Sequence, residues 1–273
     1  MSAFHSENLD AASIEAALSA DIRARLRQLA VIPTTDSTNL EIARLPAEQQ
    51  HLHAVIAEEQ SRGRGRRNRA WHSPAGGNIY LSLGWSFEAP DLPLSTLPLA
   101  VAVCACRALE RAGLQGHGIK WPNDILVRSA KLAGILVDLQ SSGVPPARAV
   151  IGIGLNVSMP ERQEADLAID LPWTDLMSNV DPEAPGISRN SVAGHLLDEL
   201  IAGLFSFEVD GFEPFDPDWQ RLDLLNGCRV RLEQGGQYAT GIARGIDDLG
   251  GLLLDGDHGL QAYHSGEVSI RRV

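Results

Sequence analysis

The stretch "HLHAVIAEEQSRGRGRRNRAWHSPAGGNIYLSLGWSF", residues 51–87, decides how the rest of the chain is read. Its first ten residues are a mainly apolar run that reads as a strand. Its last ten, "NIYLSLGWSF", alternate as a half-buried strand does and read as the return. Between them five arginines fall within Arg62–Arg69, interleaved with Gly63 and Gly65 and followed by Gly76 and Gly77. Those glycines argue against a regular helix over 62–77. The stretch is expected to be a hairpin with a long arginine-rich loop. His51 and His53 could share one strand face, but no third ligand is near, so they read as ordinary surface residues.

This positive charge stands in an acidic protein, with 23 Lys and Arg against 35 Asp and Glu and a formal net charge of -12 over 273 residues. Such a balance argues against a general nucleic-acid coat but leaves room for a local basic site. Three readings of the loop compete. A solvated charged turn has no need of glycines between mutually repelling arginines. An RGG-like nucleic-acid tail is normally flanked by disorder, not by strands. A compact anion site uses glycines to let backbone N–H groups approach and arginines for bidentate bonds. The position between two strands favours the third.

Outward from the hairpin, residues 11–30 have helical apolar spacing up to Pro33. "TTDSTN" supplies cap residues for a helix from about Leu40 to Leu45. "STLPLAVAVCACRALERAG" suits a buried helix capped by Ser95 or Thr96 and closed by Gly113. "GIKWPND", "DILV", "KLAGILVDL" and "RAVIGIGLNVS" are short β-rich runs. Residues 158–187 read as a long loop, and "NSVAGHLLDELIAGLFSF" as a helix capped by Asn190 or Ser191. From Asn226 onward, five short strand-like runs with glycine turns suggest a small antiparallel barrel that leans on the main domain. Cys104, Cys106 and Cys228 are too few for a disulfide framework and point to a reducing cytoplasm. The N-terminus lacks signal-peptide character, and no apolar run is long enough for a membrane span.

Lys120 and Lys131 bracket a turn built on Pro122 and Asn123, adding cations that could serve a phosphate or carboxylate. Composition and spacing stop there. Six blocks in order carry a resemblance further: "DSTN" (36–39), "EEQSRGRGRRNRAWHSP" (58–74), "KWPND" (120–124), "KLAGIL" (131–136), "IGIGLNV" (151–157) and "ARGID" (243–247). Together they resemble the bacterial biotin–protein ligases.

The resemblance implies an α+β catalytic domain over 1–222, a mixed sheet with helices on one face, and a small SH3-like barrel over 226–273. It implies ATP and biotin as substrates, Mg2+ as cofactor, and the biotin carboxyl carrier protein of acetyl-CoA carboxylase as acceptor. Ser37, Thr38 and Gln60 would take the ureido end of biotin, with Asn39 among the biotin contacts. Gly63, Arg64 and Arg66 would hold the carboxylate and α-phosphate, and Lys131 would stabilise charge at both. Arg67 would order the loop with Arg69 and join the nucleotide contacts. Asn123 and Asp124 would face the phosphates and metal. Trp71 would wall the biotin ring and Gly134 would let backbone approach it. Asn156, Trp173 and Arg244 would reach the nucleotide.

The loop departs from the family's usual "GRGRRG" at Asn68, a residue type tolerant of positive φ. It is expected to be mobile without ligand and to close over the adenylate. Only 35 residues precede Asp36, so no DNA-binding repressor activity and no nucleic-acid or membrane partner is expected; a homodimer is. The rival readings are a lipoate–protein ligase, a nucleic-acid-binding protein using Arg62–Arg69, and a non-catalytic biotin-binding regulator.

Overall fold

The hairpin forms as two strands, β2 (His53–Gln60) and β3 (Ile79–Phe87), paired antiparallel with Ala54 opposite Leu83 and Ala57 opposite Tyr80. The structure is a computed structural model that describes residues 7–88, 92–140, 146–159, 172–181, 187–264 and 266–270. Much of the loop expected over 158–187 therefore lies outside the described residues.

The helical segment expected over 11–30 is shorter and broken. Asp10 caps α1 (Ala11–Ala16), its carboxylate accepting from Ser13 N at 2.8 Å, and Ser19 caps α2 (Ala20–Arg25). From Gln28 the chain is a strand, β1 (Gln28–Thr35), running through Pro33. A short apolar run such as "QLAVI" fits either state on spacing alone. Proline is tolerated because β1 is an edge strand whose only partner among the described residues is β2, in parallel. Next come α3 (Thr38–Arg44) and the single turn α4 (Ala47–Gln50).

The sheet is completed by β4 (His117–Lys120), β5 (Asp124–Val127), β6 (Ala130–Gln140) and β7 (Ala147–Leu155), in the order β1-β2-β3-β7-β6-β5-β4. The β1–β2 pair is parallel and the rest antiparallel, so the sheet is mixed. Alternate residues of a strand face opposite ways. Ala54, Ile56, Leu81, Leu83, Ile151 and Ile153 enter the main core with α5 (Leu97–Arg111) and α6 (Arg189–Asp210). Val55 and Val150 face the other side, where Ile42 of α3 packs on them. The helices therefore do not all share one face, and the small helix on the second face frames the site.

Helix α5 is apolar almost all round and is buried along its length, Cys104 and Cys106 included. Burial pushes the Cys104 thiol up to about 12, which leaves it inert. Helix α6 starts earlier than expected: Ser188 is the cap, in a reciprocal box with Ser191, while Asn190 Oδ1 accepts from Asp10 N. His53 is not a surface residue, and His51 is half-buried. His53 is buried in β2, and His51 packs edge-on against Trp85 with its Nδ1 accepting from Ser86 N.

After α7 (Asp216–Leu222) the chain makes a second sheet from β8 (Arg229–Gln234), β9 (Gln237–Ile246), β10 (Leu252–Gly256), β11 (Gly259–Tyr263) and β12 (Glu267–Ile270). Its order is β11-β10-β9-β8-β12, antiparallel throughout. Val230, Leu232, Ala243 and Leu252 join the same apolar core as the main sheet, and Trp121 Nε1 donates to Gly250 O at 2.9 Å. The small sheet thus leans on the large one. No helix among the described residues is long and apolar enough to cross a membrane.

Candidate active site

On the sheet face that carries α3, the centre of the sheet is bare, with glycine at alternate positions of β7. Gly134 of β6 lies opposite Gly154 of β7, which lies opposite Tyr80 of β3; one step along, Leu136, Gly152 and Ser82 form the next row. A Cβ on Gly152 would stand 2.3 Å from Asn39 Oδ1, and one on Gly154 would stand 2.5 Å from Trp71 Nε1. Any side chain there would collide, so the glycines let α3 and Trp71 lie close to the sheet. What remains is a trough of about 590 Å³, walled by the arginine loop and by Arg231, Glu233 and Tyr238 of the small sheet.

One end of the trough is neutral and polar. Ser37 caps α3 by position but makes no side-chain cap bond, and it lines the trough with Thr38 and Asn39. Gln60 Oε1 accepts from Thr38 N at 2.9 Å and Thr38 Oγ1 at 3.1 Å, and Gln60 Nε2 donates to Ser73 Oγ at 3.0 Å. Ser82 Oγ lies 2.8 Å from Thr38 Oγ1 and 2.6 Å from Asn39 Oδ1. Asp36, just outside, is bonded by Arg44, which holds its carboxyl at about 2, far below the usual range. It also accepts from Ser37 N at 2.8 Å and so fixes the entry to α3.

The other end is cationic. The loop is a folded turn: Gly65 N donates to Arg69 O and Trp71 N to Gly63 O, both at 2.8 Å. Its left-handed residue is Arg67, at φ 54° and ψ 36°. Arg66 donates to Asn123 Oδ1 at 3.4 Å, and Arg64 lies 3.5 Å from Asp138. Arg67 reaches across to Glu233 Oε2 at 3.4 Å. Lys131 Nζ lies 2.7 Å from Asp124 Oδ1 and 4.9 Å above the Trp71 ring. Gly134 floors the same region.

The trough thus gathers Ser37, Thr38, Asn39 and Gln60 at one end, and Arg64, Arg66, Arg67, Asn123, Asp124 and Lys131 at the other, with Trp71 and Gly134 between. Four expected residues do not line it. Gly63 sits behind the loop, where a Cβ would meet Ser73 Oγ and Trp71 O at 2.5 Å. Asn156 is buried, its amide donating to Thr174 O at 3.1 Å and Lys131 O at 3.4 Å. Trp173 bridges to Lys131 through backbone, flanked by Lys131 N to Pro172 O and Thr174 N to Lys131 O. Arg244, next to buried Ala243 on β9, is exposed and pairs with Asp255 at 3.4 Å. Ser82, Asp138, Gly152, Gly154 and Glu233 are parts of the site that residue type alone did not single out. Only the glycines left a trace, as the alternation in "IGIGL".

Two family models match: "Biotin/lipoate A/B protein ligase family" over residues 29–156 and "Biotin protein ligase C terminal domain" over 227–271. The bifunctional ligase/repressor BirA of Escherichia coli (strain K12) is 37% identical over 243 residues, covering 89% of this chain and 74% of that protein. The chain belongs to the biotin/lipoate A/B protein ligase family. The biotin--[acetyl-CoA-carboxylase] ligase of Paracoccus denitrificans is 32% identical over 251 residues, 87% of this chain and 98% of that one. Among solved structures, the biotin protein ligase from Aquifex aeolicus in complex with biotin and ATP aligns with a TM-score of 0.75 at 27% identity, covering 90% of this chain and 100% of that one. Within the family, the biotin-specific match falls on the small sheet, which supplies Arg231, Glu233 and Tyr238 to the trough.

Proposed function

We propose that this family member is a biotin–protein ligase. It joins biotin to ATP as biotinyl-5′-AMP and passes the biotinyl group to a lysine of the biotin carboxyl carrier protein of acetyl-CoA carboxylase. The single observation that carries this is that one trough brings together a hydroxyl-and-amide end and a cationic end. Residues 1–222 are taken as the catalytic part and 226–273 as the small domain.

In the first step a biotin carboxylate oxygen forms a bond to the α-phosphorus and the bond to the β-phosphate oxygen breaks, releasing pyrophosphate. Two anions must meet. Across ~4 Å each charge pair repels by about 1 kcal/mol in water and about 4 at an intermediate dielectric. Arg64, Arg66 and Lys131 offset that repulsion and stabilise charge developing on the α-phosphate. Ser37, Thr38 and Gln60 offer the donors and acceptors a urea requires. Trp71 and Gly134 supply an apolar wall and a bare backbone for the fused ring. In the second step the acceptor amine attacks the acyl carbon, AMP leaves with the shared oxygen, and the amine gives up its proton.

Magnesium would enter with the nucleotide. Among the described residues no three His, Cys, Asp or Glu group together as a ligand set. Mg2+ held mainly by phosphate oxygens and water, with Asp124 as the nearby carboxylate, suits that donor supply. The mixed anhydride is water-sensitive, and closure of the loop over it is the means of protection.

Exchange of labelled pyrophosphate into ATP tests the proposal. It should depend on biotin and not respond to lipoate. Exchange driven by lipoate would give the site to the other branch of the family, and biotin binding without exchange would make the protein a regulator.

A further inference from the structure

Asp138, on β6, has no role in the chemistry above and is not among the residues that line the trough. It nevertheless joins the two ends. Its Oδ2 accepts from Asn39 Nδ2 at 3.0 Å and lies 3.5 Å from Arg64 Nη1. One carboxylate oxygen therefore holds a residue of the neutral end and a residue of the arginine loop.

Behind Asn39 the contacts continue. Asn39 Oδ1 meets Ser82 Oγ, Ser82 Oγ meets Thr38 Oγ1, and Thr38 Oγ1 meets Gln60 Oε1. Thr38, Asn39 and Ser82 are all buried. Each hydroxyl has one proton, so two protons serve three contacts. In one arrangement Thr38 donates to Gln60 and Ser82 to Asn39, leaving two hydroxyl oxygens facing each other without a proton. In another, Thr38 donates to Ser82 and Ser82 to Asn39, while Gln60 Oε1 keeps its bond from Thr38 N. A ligand that hydrogen-bonds the Thr38 hydroxyl selects between them. Ser82 donates to Asn39 in both, but it does so more strongly when it also accepts from Thr38, because chained hydrogen bonds polarise one another, and this changes how firmly Asn39 is held toward Asp138.

We propose that Asp138 is a positioning residue that couples occupancy of the Thr38–Gln60 end to the placement of Arg64 in the loop. The proposal rests on the biotin-ligase reading, because it takes the occupant to be the urea of biotin. Coupling is reciprocal: a ligand that sets Arg64 must in turn tighten the urea end. Asp138 touches no reacting atom, so its effect appears in coupling and turnover more than in the binding of either substrate alone.

The test uses the full chain and biotin itself. Trypsin cuts after arginine, and the loop carries five between Arg62 and Arg69. Biotin should slow cutting there in the wild type. Asp138→Asn keeps the size and an acceptor for Asn39 but removes the charge facing Arg64. It should abolish the biotin-dependent protection and lower kcat for pyrophosphate exchange about tenfold, the factor that about 1.4 kcal/mol of lost transition-state positioning gives. The ATP KM and the melting temperature should change little, and Asp138→Glu should restore part of the protection. Ser82→Ala breaks the chain upstream with Asp138 intact, and should also lose protection; it serves if Asp138→Asn does not fold. Wild-type protection and kcat in both variants would overturn the coupling while leaving the function standing. Absence of biotin-dependent exchange in the wild type would overturn the function, and the coupling with it.

Discussion

Lys131 is held on two sides, by the Asp124 carboxylate 2.7 Å from its ammonium and by the Trp71 ring 4.9 Å beneath it. Both partners line the trough, and the pair is largely shielded, with side-chain exposures of 22% and 15%. The ammonium is thus aimed before any anion arrives, which is what transition-state stabilisation by a fixed charge requires. Lys131→Ala should lower kcat for biotin-dependent pyrophosphate exchange by about 10²–10³. Lys131→Arg should recover little, because a planar fork does not replace a point charge seated between a carboxylate and an indole. Steady-state exchange kinetics on the two variants, with melting temperatures alongside, check both statements. A kcat within twofold of wild type in Lys131→Ala would remove Lys131 from the chemistry.

The loop is also tied to the small sheet. Arg67, its left-handed residue, lies 3.4 Å from Glu233, and Glu233 Oε1 is itself fixed by Gly236 N at 2.7 Å. Both side chains keep substantial solvent contact, so the ion pair contributes roughly 0.2–1 kcal/mol. Glu233→Gln should therefore leave the melting temperature almost unchanged. It should speed tryptic cutting of the loop by about 1.4- to fivefold at low salt, the factor that such an energy gives. High salt should erase the difference, since screening acts on exposed pairs. Identical cutting rates at low salt would mean that the small sheet does not restrain the loop.

The arginine hairpin, the strands after Gly113 and the five-stranded C-terminal sheet were legible because their turns and alternation are local signals. Strand β1 was not. Its apolar run also suits a helix, and Pro33 looks like a terminator until β1 is known to be an edge. The cationic residues of the site were legible because charge in a glycine-rich loop is unusual. Asp138 and Glu233 were hidden, since their partners Asn39 and Arg67 lie 99 and 166 residues away, and only the folded sheets bring them together. Arg244 shows the reverse case: its motif "ARGID" stands out in the sequence, yet in this structure its side chain pairs with Asp255 and does not line the trough.

Gly152 offers a test of the floor. A Cβ there would lie 2.3 Å from Asn39 Oδ1, and Asn39 cannot swing aside without leaving Ser82 and Asp138. Gly152→Ala should cost about 1–3 kcal/mol of stability, as overpacking does. It should raise the KM for biotin about two- to tenfold if half of that strain falls on the Asn39–Thr38 end. The ATP KM should respond less. Denaturant melts and exchange kinetics at varied biotin report the two effects, and an unchanged biotin KM would place the vitamin elsewhere.

Acid should destabilise the protein through its histidines before its carboxylates. Burial pushes His51, His53, His117 and His195 all below the usual imidazole range. For His117 the case is plain: among the described residues neither ring nitrogen has a hydrogen-bond partner, and the Glu110 carboxylate stands 3.7 Å away. A base whose folded pKa is depressed takes up protons more readily when unfolded. Stability is then complete above the unfolded value, about 6.5, and falls as pH drops from there toward the folded values. Each such histidine adds at most about 1.4 kcal/mol per pH unit within its window. Asp36, held at about 2, acts only far below this range. Denaturant melts between pH 7.5 and 5 should therefore show stability decreasing as the pH falls, and His117→Gln should flatten that decline. A flat profile across that interval would mean that these imidazoles are charged, or solvated, in the folded protein.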